Sequence, residues 1–549
     1  MQSSTGFRYW IPLIASSMAI VIVVVDSTMM NVAVPTIVKD LKTDVSTVQS
    51  VIALYSLVMA ALMLTGGKLG SIIGIRAAFS IGLLFYGIGT LLAAISWNIF
   101  SLASGWSLFE GIGAAFLVPA AFTVVTANYA GKQRIQAFGI LAGVQATAAA
   151  IGSMLGGILT TYLTWRWGFG GEAVIALAII PLIPAIRQQQ TRDSRTTLDG
   201  IGVILSSLGM LVLVLGFLIA GRYGWWEARR PFVLFGQRLN PFDLSPTPLC
   251  IIAGLSLMVG FFHWQRRRES RGQTPLVRPG LFANSQFVTG ASMYMIRSIF
   301  LAGLLFVLPL YMQSALKFTA FQSGLALLPF SASVFFVSMK SASWASRISA
   351  KTLIQIGLVL LALGSLYTYA VTSTAMTIGT FFIPVTVMGI GLGLVMAQLV
   401  NLTLSSVAPQ DTAEASGVTN AVGELGNSLG TAVIGSLLLM FFYTGVVDQV
   451  ALRADLDLSY QQRSQLIVEI EDAPDIDTQA GLEAFIVDLP ENVKDDVPFV
   501  MNDAAVRAMQ NTMLVILTMM ILTLLVSTFL PHRRIKQPLS AIKSPRSLG

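Results

Sequence analysis

The sequence predicts an all-α integral membrane protein with fourteen transmembrane helices, and three observations support that expectation. Of its 549 residues, 54% are hydrophobic and only 11% are charged. A soluble domain carries roughly 25% charged residues, so this chain has too few to coat a water-facing surface. Apolar stretches long enough to cross a bilayer, about 20 residues each, recur along nearly the whole chain. Basic residues also gather in alternate short connections, the pattern that marks the cytoplasmic side of a membrane protein.

In chain order the spans read as 10–34, 47–66, 77–96, 100–126, 135–160, 168–186, 198–220, 246–264, 286–313, 319–340, 352–371, 374–400, 415–443 and 507–530. Lys68 and Arg76 follow the second span, Lys132 and Arg134 the fourth, and Arg187, Arg192 and Arg195 the sixth. Arg266, Arg267, Arg268 and Arg271 follow the eighth, Arg347 and Lys351 the tenth, and Arg533, Arg534 and Lys536 the last. Both termini are therefore expected in the cytoplasm. The connection 221–245, on the other side, opposes the trend with Arg222, Arg229, Arg230 and Arg238. The spans fall into three regions: six over 1–190, two with a cytoplasmic loop over 191–280, and six over 281–549.

Segment 445–505, on the outer side between the last two spans, contains fourteen acidic and three basic residues, although the whole chain has a net charge of +7. The remainder is accordingly strongly basic. Anionic inner-leaflet lipid accounts for that charge, so no nucleic-acid partner is expected. Apolar positions Leu458, Leu466, Ile467 and Ile470 suit a helical hairpin in this segment. A solvated cap is the plainer reading, a substrate-collecting lid the sharper one.

Several function classes are disfavoured. Cys250 is the sole cysteine, which excludes an internal disulfide, and His263 and His532 both flank basic clusters at helix ends, where no metal site is expected. No Gly-x-x-x-x-Gly-Lys-Ser/Thr loop is present, which argues against ATP drive. No paired nucleophile and base and no cofactor loop stand out, so neither an enzyme nor a bound cofactor is expected. The first apolar stretch runs past signal-peptide length without a small-residue cleavage site, so no cleavable leader is expected.

Short motifs then recur in order. Asp26, Thr28, Asn31, Ala33 and Pro35 close the first span as Asp-x-Thr-x-x-Asn-x-Ala-x-Pro. Gly67, Lys68 and Leu69, with Gly74 and Arg76, occupy the connection after the second span. Glu110, Gly111, Gly113 and Pro119 mark the fourth span, and Gly152, Gly156 and Gly157 the fifth. Trp165-Arg166-Trp167 with Phe169 follows, and Ala415-Ser416-Gly417 with Asn420, Gly426 and Gly430 marks the thirteenth. Together these resemble the major facilitator superfamily, specifically its fourteen-helix drug:proton antiporter branch, over essentially the full length. The resemblance implies two six-helix bundles that rock around a midplane site, plus two extra helices between them. Small residues let helices in lipid approach closely, so the glycines serve packing and conformational change together.

Four positions depart from the family pattern. Ser71 and Ser346 stand where the two halves resemble family loops that hold an acid, which implies a weaker charge latch. Ser107 stands where the fourth helix usually has an arginine linked to proton transfer. Ser153 stands where the fifth-helix motif usually has proline. These departures bear on proton coupling and leave the fold untouched.

Ionisable side chains within a span cost several kcal/mol on insertion scales and ask for a function. Asp26, Glu110, Glu172 and Glu424 are the acidic ones. A carboxyl group buried without a partner can be neutral in one state and charged in another, as a proton-coupling or cation-binding site requires. Each also has a structural reading, as an ion pair or a helix-end hydrogen bond, and for Glu172 an interfacial structural role is the expectation. Arg297 stays charged, so it needs an acidic or carbonyl partner, and it could supply the positive charge that Ser107 does not. The leading expectation is a monomeric secondary exporter of hydrophobic or amphiphilic compounds in the plasma (inner) membrane, driven by protons. A lipid or metabolite exporter with altered coupling is the first alternative. A non-transporting membrane sensor or assembly partner is the second.

Overall fold

The computed structural model describes residues 7–129, 131–187, 198–228, 231–234, 237–238, 244–344, 347–404, 406–407, 412–453, 459–472 and 496–530. Helices α1 (Phe7–Leu41), α2 (Val45–Ile73) and α3 (Ile75–Ala94) follow one another through tight corners. The next rod is composite: α4 (Ile99–Leu102), a π-helical segment Ala103–Glu110, and α5 (Gly111–Asn128). Then come α6 (Gly131–Tyr162) and α7 (Arg166–Ile179), the latter prolonged by a 3-10 turn at Ile180–Ala185. Helices α8 (Gly200–Tyr223) and α9 (Pro246–Ser270) flank a small antiparallel hairpin, Val233–Leu234 with Gln237–Arg238. The chain continues through α10 (Ser285–Ser314), α11 (Ala320–Trp344), α12 (Ala350–Val371), α13 (Ile378–Leu404) and α14 (Thr412–Arg453). A short α15 (Tyr460–Asp472) precedes the last long helix, α16 (Val497–Val526).

Among the described residues, thirteen helices are long and apolar enough to cross a membrane by length and composition. The expected span 135–160 falls within α6, a 32-residue helix outside those thirteen, several of whose side chains lie beyond the described residues. The count of fourteen therefore rests on α6.

Backbone groups in lipid must be satisfied internally, which helices achieve and loops do not. The corners are accordingly short and capped. Asp44 accepts from Thr47 N at 2.8 Å to start α2, and Asn284 accepts from Gln286 N and Phe287 N to start α10. Gly74 joins α2 to α3 with φ +95°, a conformation that favours glycine.

Helix α1 packs on α6 and α3 on α5, while α10 packs on α14 and both α11 and α12 pack on α13. The two sets meet along α2–α14 and α6–α11. Contacts across that seam include Gln313 Nε2 donating to Val32 O at 3.0 Å, Phe321 N to Thr161 Oγ1 at 3.0 Å, Gln49 Nε2 to Thr431 O at 2.7 Å, and Ser428 Oγ to Ala53 O at 2.7 Å. The first three lie toward the end opposite the α2–α3 corner.

At the corner end, the chain after α9 turns back beneath the bundle. Leu276, Val277 and Leu281 bury among Phe261, Phe287, Ala415 and Val418, with Leu64 of α2 beside them. Asp199, 1% exposed, organises this turn. It accepts from Trp264 Nε1 at 2.9 Å, Gln265 Nε2 at 2.8 Å and Gly202 N at 3.0 Å, with Arg268 Nη1 at 3.5 Å. Gln265 Oε1 in turn accepts from Leu276 N at 2.7 Å.

At the far end α14 runs on for 42 residues, and Ile467 of α15 packs with Val446 and Val447 of α14 and Val500 of α16. Arg453 pairs with Asp496, and Arg463 with Asp448 at 2.9 Å. Within the acidic segment, 454–458 and 473–495 lie outside the described residues, as do the side chain of Ile470 and all of Leu458.

Candidate functional site

The first half gathers three acids in its interior. Asp26 comes from the middle of α1, Glu110 closes the π-helical segment, and Glu172 lies in α7. One carboxylate oxygen from each lies within 4.8 Å of the other two, close enough to share a proton or a hard cation. Asp26 and Glu110 are fully buried and Glu172 is 3% exposed. Asp26 Oδ2 accepts from Trp106 Nε1 at 2.8 Å, and Glu172 Oε2 accepts from Tyr86 Oη at 3.2 Å. Asp26 Oδ1, both Glu110 oxygens, Glu172 Oε1 and the Tyr55 hydroxyl are buried with no hydrogen-bond partner.

Local structure explains the convergence. A π-helical turn holds more residues than an α-turn and tends to occur at functional sites. Here it presents Trp106 and Glu110 together toward α1, while Ser107 between them donates to Val51 O of α2 at 2.7 Å. Gly89 on α3 faces Glu110 so closely that a Cβ there would run into its backbone. Helix α7 is pinned at its start: Arg166 pairs with Asp40 of α1 and donates to Ser96 O at 2.8 Å, and Trp165 Nε1 reaches Asp40 Oδ2 at 3.0 Å. From that anchor an aromatic row leads inward. Trp165 meets Phe169 edge-on at 6.0 Å, Phe169 meets Trp106 at 6.1 Å, and Trp106 stacks on Tyr55 at 5.3 Å.

Glu424 is not part of this cluster. It sits half-buried on α14, accepting from Asn427 Nδ2 at 3.1 Å, and the charge of Arg297 acts on it. Arg297, 8% exposed, donates to Ser298 Oγ at 2.8 Å and lies over the Tyr294 ring at 4.3 Å. Arg297, on α10, thus stands with Glu424 in the second half.

The conformational motif residues line two seams. Lys68 Nζ donates to Pro275 O at 3.3 Å, and Arg76 donates to Pro184 O at 2.9 Å and Ile186 O. Gly67 has Pro119 as its neighbour across α5, and Gly74 makes the corner. Gly152 and Gly156 lie against α1 at Thr28 and Met29, and a Cβ on Gly157 would sit 2.6 Å from Ala320 O across the seam. The side chains of Ser71 and Ser153, and all of Ser346, lie outside the described residues.

Residues 17–431 match the model of the Major Facilitator Superfamily. The chain belongs to that superfamily. Among curated relatives of this facilitator, the puromycin resistance protein pur8 of Streptomyces alboniger is 29% identical over 436 residues, 78% of this chain and 82% of that protein. The cephamycin export protein CmcT of Amycolatopsis lactamdurans is 29% identical over 77% of this chain and 83% of its own length. The multidrug efflux pump LfrA of Mycolicibacterium smegmatis is 25% identical over 80% of this chain and 83% of its own length. A solved bacterial homologue of the human lysosomal transporter Spinster, inward-facing and occupied, shares the facilitator fold with a TM-score of 0.57 at 15% identity, covering 96% of this chain and 98% of that one. The facilitator is a multi-pass membrane transporter and not an enzyme.

Proposed function

We propose that this facilitator is a proton-coupled exporter of hydrophobic or amphiphilic small molecules, with Asp26, Glu110 and Glu172 as its proton-binding site. One observation carries the reading: three carboxylates within 4.8 Å of one another, buried, with four oxygens unpaired. Two charged carboxylates at that separation repel by about 3.5 kcal/mol at an effective dielectric near 20. Three charges cannot persist there without a counter-ion, so the cluster holds protons and changes how many it holds when it is opened to the other side. Substrate class follows from the relatives named for antibiotic resistance, antibiotic export and multidrug efflux.

In this reading 1–190 and 281–549 are the two rocking bundles and 191–280 is the linker. Both termini are cytoplasmic, the plasma (inner) membrane is the site of action, and a single chain suffices. Lys68, Arg76 and Lys351 then lie on the cytoplasmic side, and the cross-half hydrogen bonds toward the opposite end close the outer mouth.

The test is uptake of ethidium into inverted vesicles with and without a pH gradient, for the wild type and Asp26→Asn. Gradient-driven uptake that disappears in the variant is expected. A folded wild type that moves ethidium with no response to the gradient would refute proton coupling and favour the lipid or metabolite exporter.

A further inference from the structure

We propose that α8 and α9, with the turn at 271–284, form a brace that keeps the α2–α14 seam closed in both conformations, leaving α6–α11 as the seam that parts. The inference deepens the rocking reading of the two halves and rests on it, and it is independent of proton coupling. Helix α8 packs on α2 of the first half and on α14 of the second. Its Met210 and Val214 bury with Leu57 and Ala60 of α2, and Leu425 and Leu429 of α14 pack against the same cluster. Ser207 Oγ of α8 also donates to Ala61 O of α2 at 3.0 Å. Helix α9 backs α8 closely: a Cβ on Gly254 would sit 2.6 Å from Leu213 N.

The turn after α9 repeats the arrangement at the corner end. Lys68 of α2 donates to Pro275 O, and Leu64 of α2 joins the cluster in which Leu276, Val277 and Leu281 bury with Ala415 and Val418 of α14. Asp199 and Gln265 fasten that turn to the starts and ends of the linker helices, so the turn and the pair move as one piece. The α2–α14 seam is thus held at both ends, because Gln49 donates to Thr431 O and Ser436 Oγ toward the far end. Neither α8 nor α9 packs substantially on α6 or α11.

A mere connection between the halves would not require α8 to lie against helices of both. In lipid, helices hold together by close packing and interhelical hydrogen bonds, and parting α2 from α14 would strip α8 from one of them. At the corner end it would also bring Leu276, Val277 and Leu281 out toward water, which the hydrophobic effect opposes. The α6–α11 seam carries no such penalty. Rocking then becomes a hinge motion, with α2–α14 as the hinge line and α6–α11 as the gate.

Two cysteine pairs test this in a Cys250→Ser background: Leu64→Cys with Val418→Cys at the corner end, and Ala53→Cys with Ser428→Cys, whose parent residues meet through a hydrogen bond. Each is joined by a short cleavable cross-linker in proteoliposomes and compared with its own unjoined sample. The readout is ethidium counterflow, an exchange needing no net proton movement. With either pair joined, counterflow should stay within about twofold of the unjoined sample, since alternating access needs only the other seam to part. Loss of counterflow on joining 64 to 418, restored on cleavage, would overturn the brace. A folding defect in one pair shows before joining, and the other pair still decides. Counterflow that persists with 161 and 321 joined across α6–α11 would instead refute the rocking reading itself, and the brace with it.

Discussion

Trp106 has one side of its indole on Tyr55 and its N–H on Asp26, which makes two functions separable by one atom. Trp106→Phe keeps an aromatic surface and deletes the donor. A hydrogen bond to a charged group is worth about 1.5–3 kcal/mol, so gradient-driven uptake should drop roughly 10- to 100-fold, read as initial rates in vesicles. Unchanged rates would show that Asp26 needs no donor. Glu110→Gln should likewise remove the gradient response and spare counterflow, since it deletes one proton site and keeps the side-chain volume. Asp26, Glu110 and Glu172 were legible in the sequence because a lone acid in an apolar span is conspicuous. Their meeting was not, since it depends on how three distant helices cross, and Glu172 reads as interfacial until α7 is seen anchored to Asp40. Tyr55, Tyr86 and Trp106 were not legible either. An aromatic residue in a span has the same appearance whether it faces lipid or an acid.

The helices themselves were largely readable, and most expected spans fall inside helices within a few residues. Ala103–Glu110 shows where that reading stops. Its apolar composition fits any helix, and hydrophobic periodicity cannot reveal an extra residue in a turn. The turn at 271–284 was equally hidden, because Asp199 looks like an ordinary helix cap until Trp264, Gln265 and Arg268 are found around it. Asp199→Ala would leave several buried donors unmet. We expect it to cost roughly 2–4 kcal/mol, seen as a lower unfolding temperature of the detergent-purified protein; Asp199→Asn, which retains an acceptor, should cost less. At the helix–helix level, Gly113→Val should separate α3 from α5, because its side chain would enter the Tyr86 backbone. A destabilisation of about 1–3 kcal/mol follows from such overpacking, and an unaltered melting curve would contradict the packing.

At the scale of the whole molecule, the proposed rocking would act at the seam between the halves. Thr161 and Phe321 meet across it by a backbone-to-hydroxyl hydrogen bond, and Tyr162 meets Phe321 edge-on at 6.1 Å. Cysteines at 161 and 321 in a Cys250→Ser background, joined by a short cross-linker, should stop transport and release it on reduction; continued transport when cross-linked would mean that this seam does not open. The two-bundle plan came from the family motifs, whereas the register of one half on the other has no sequence signal, since each half satisfies its own helix faces. Helix α14 spans that seam and does not end there. At 1.5 Å per residue its 42 residues measure about 63 Å, roughly twice the hydrocarbon thickness of a bilayer, and no proline interrupts it. Its far end therefore stands clear of the hydrocarbon, at the Arg453–Asp496 clasp, so a fluorophore placed there would report any change in the tilt of α14 from outside the bilayer.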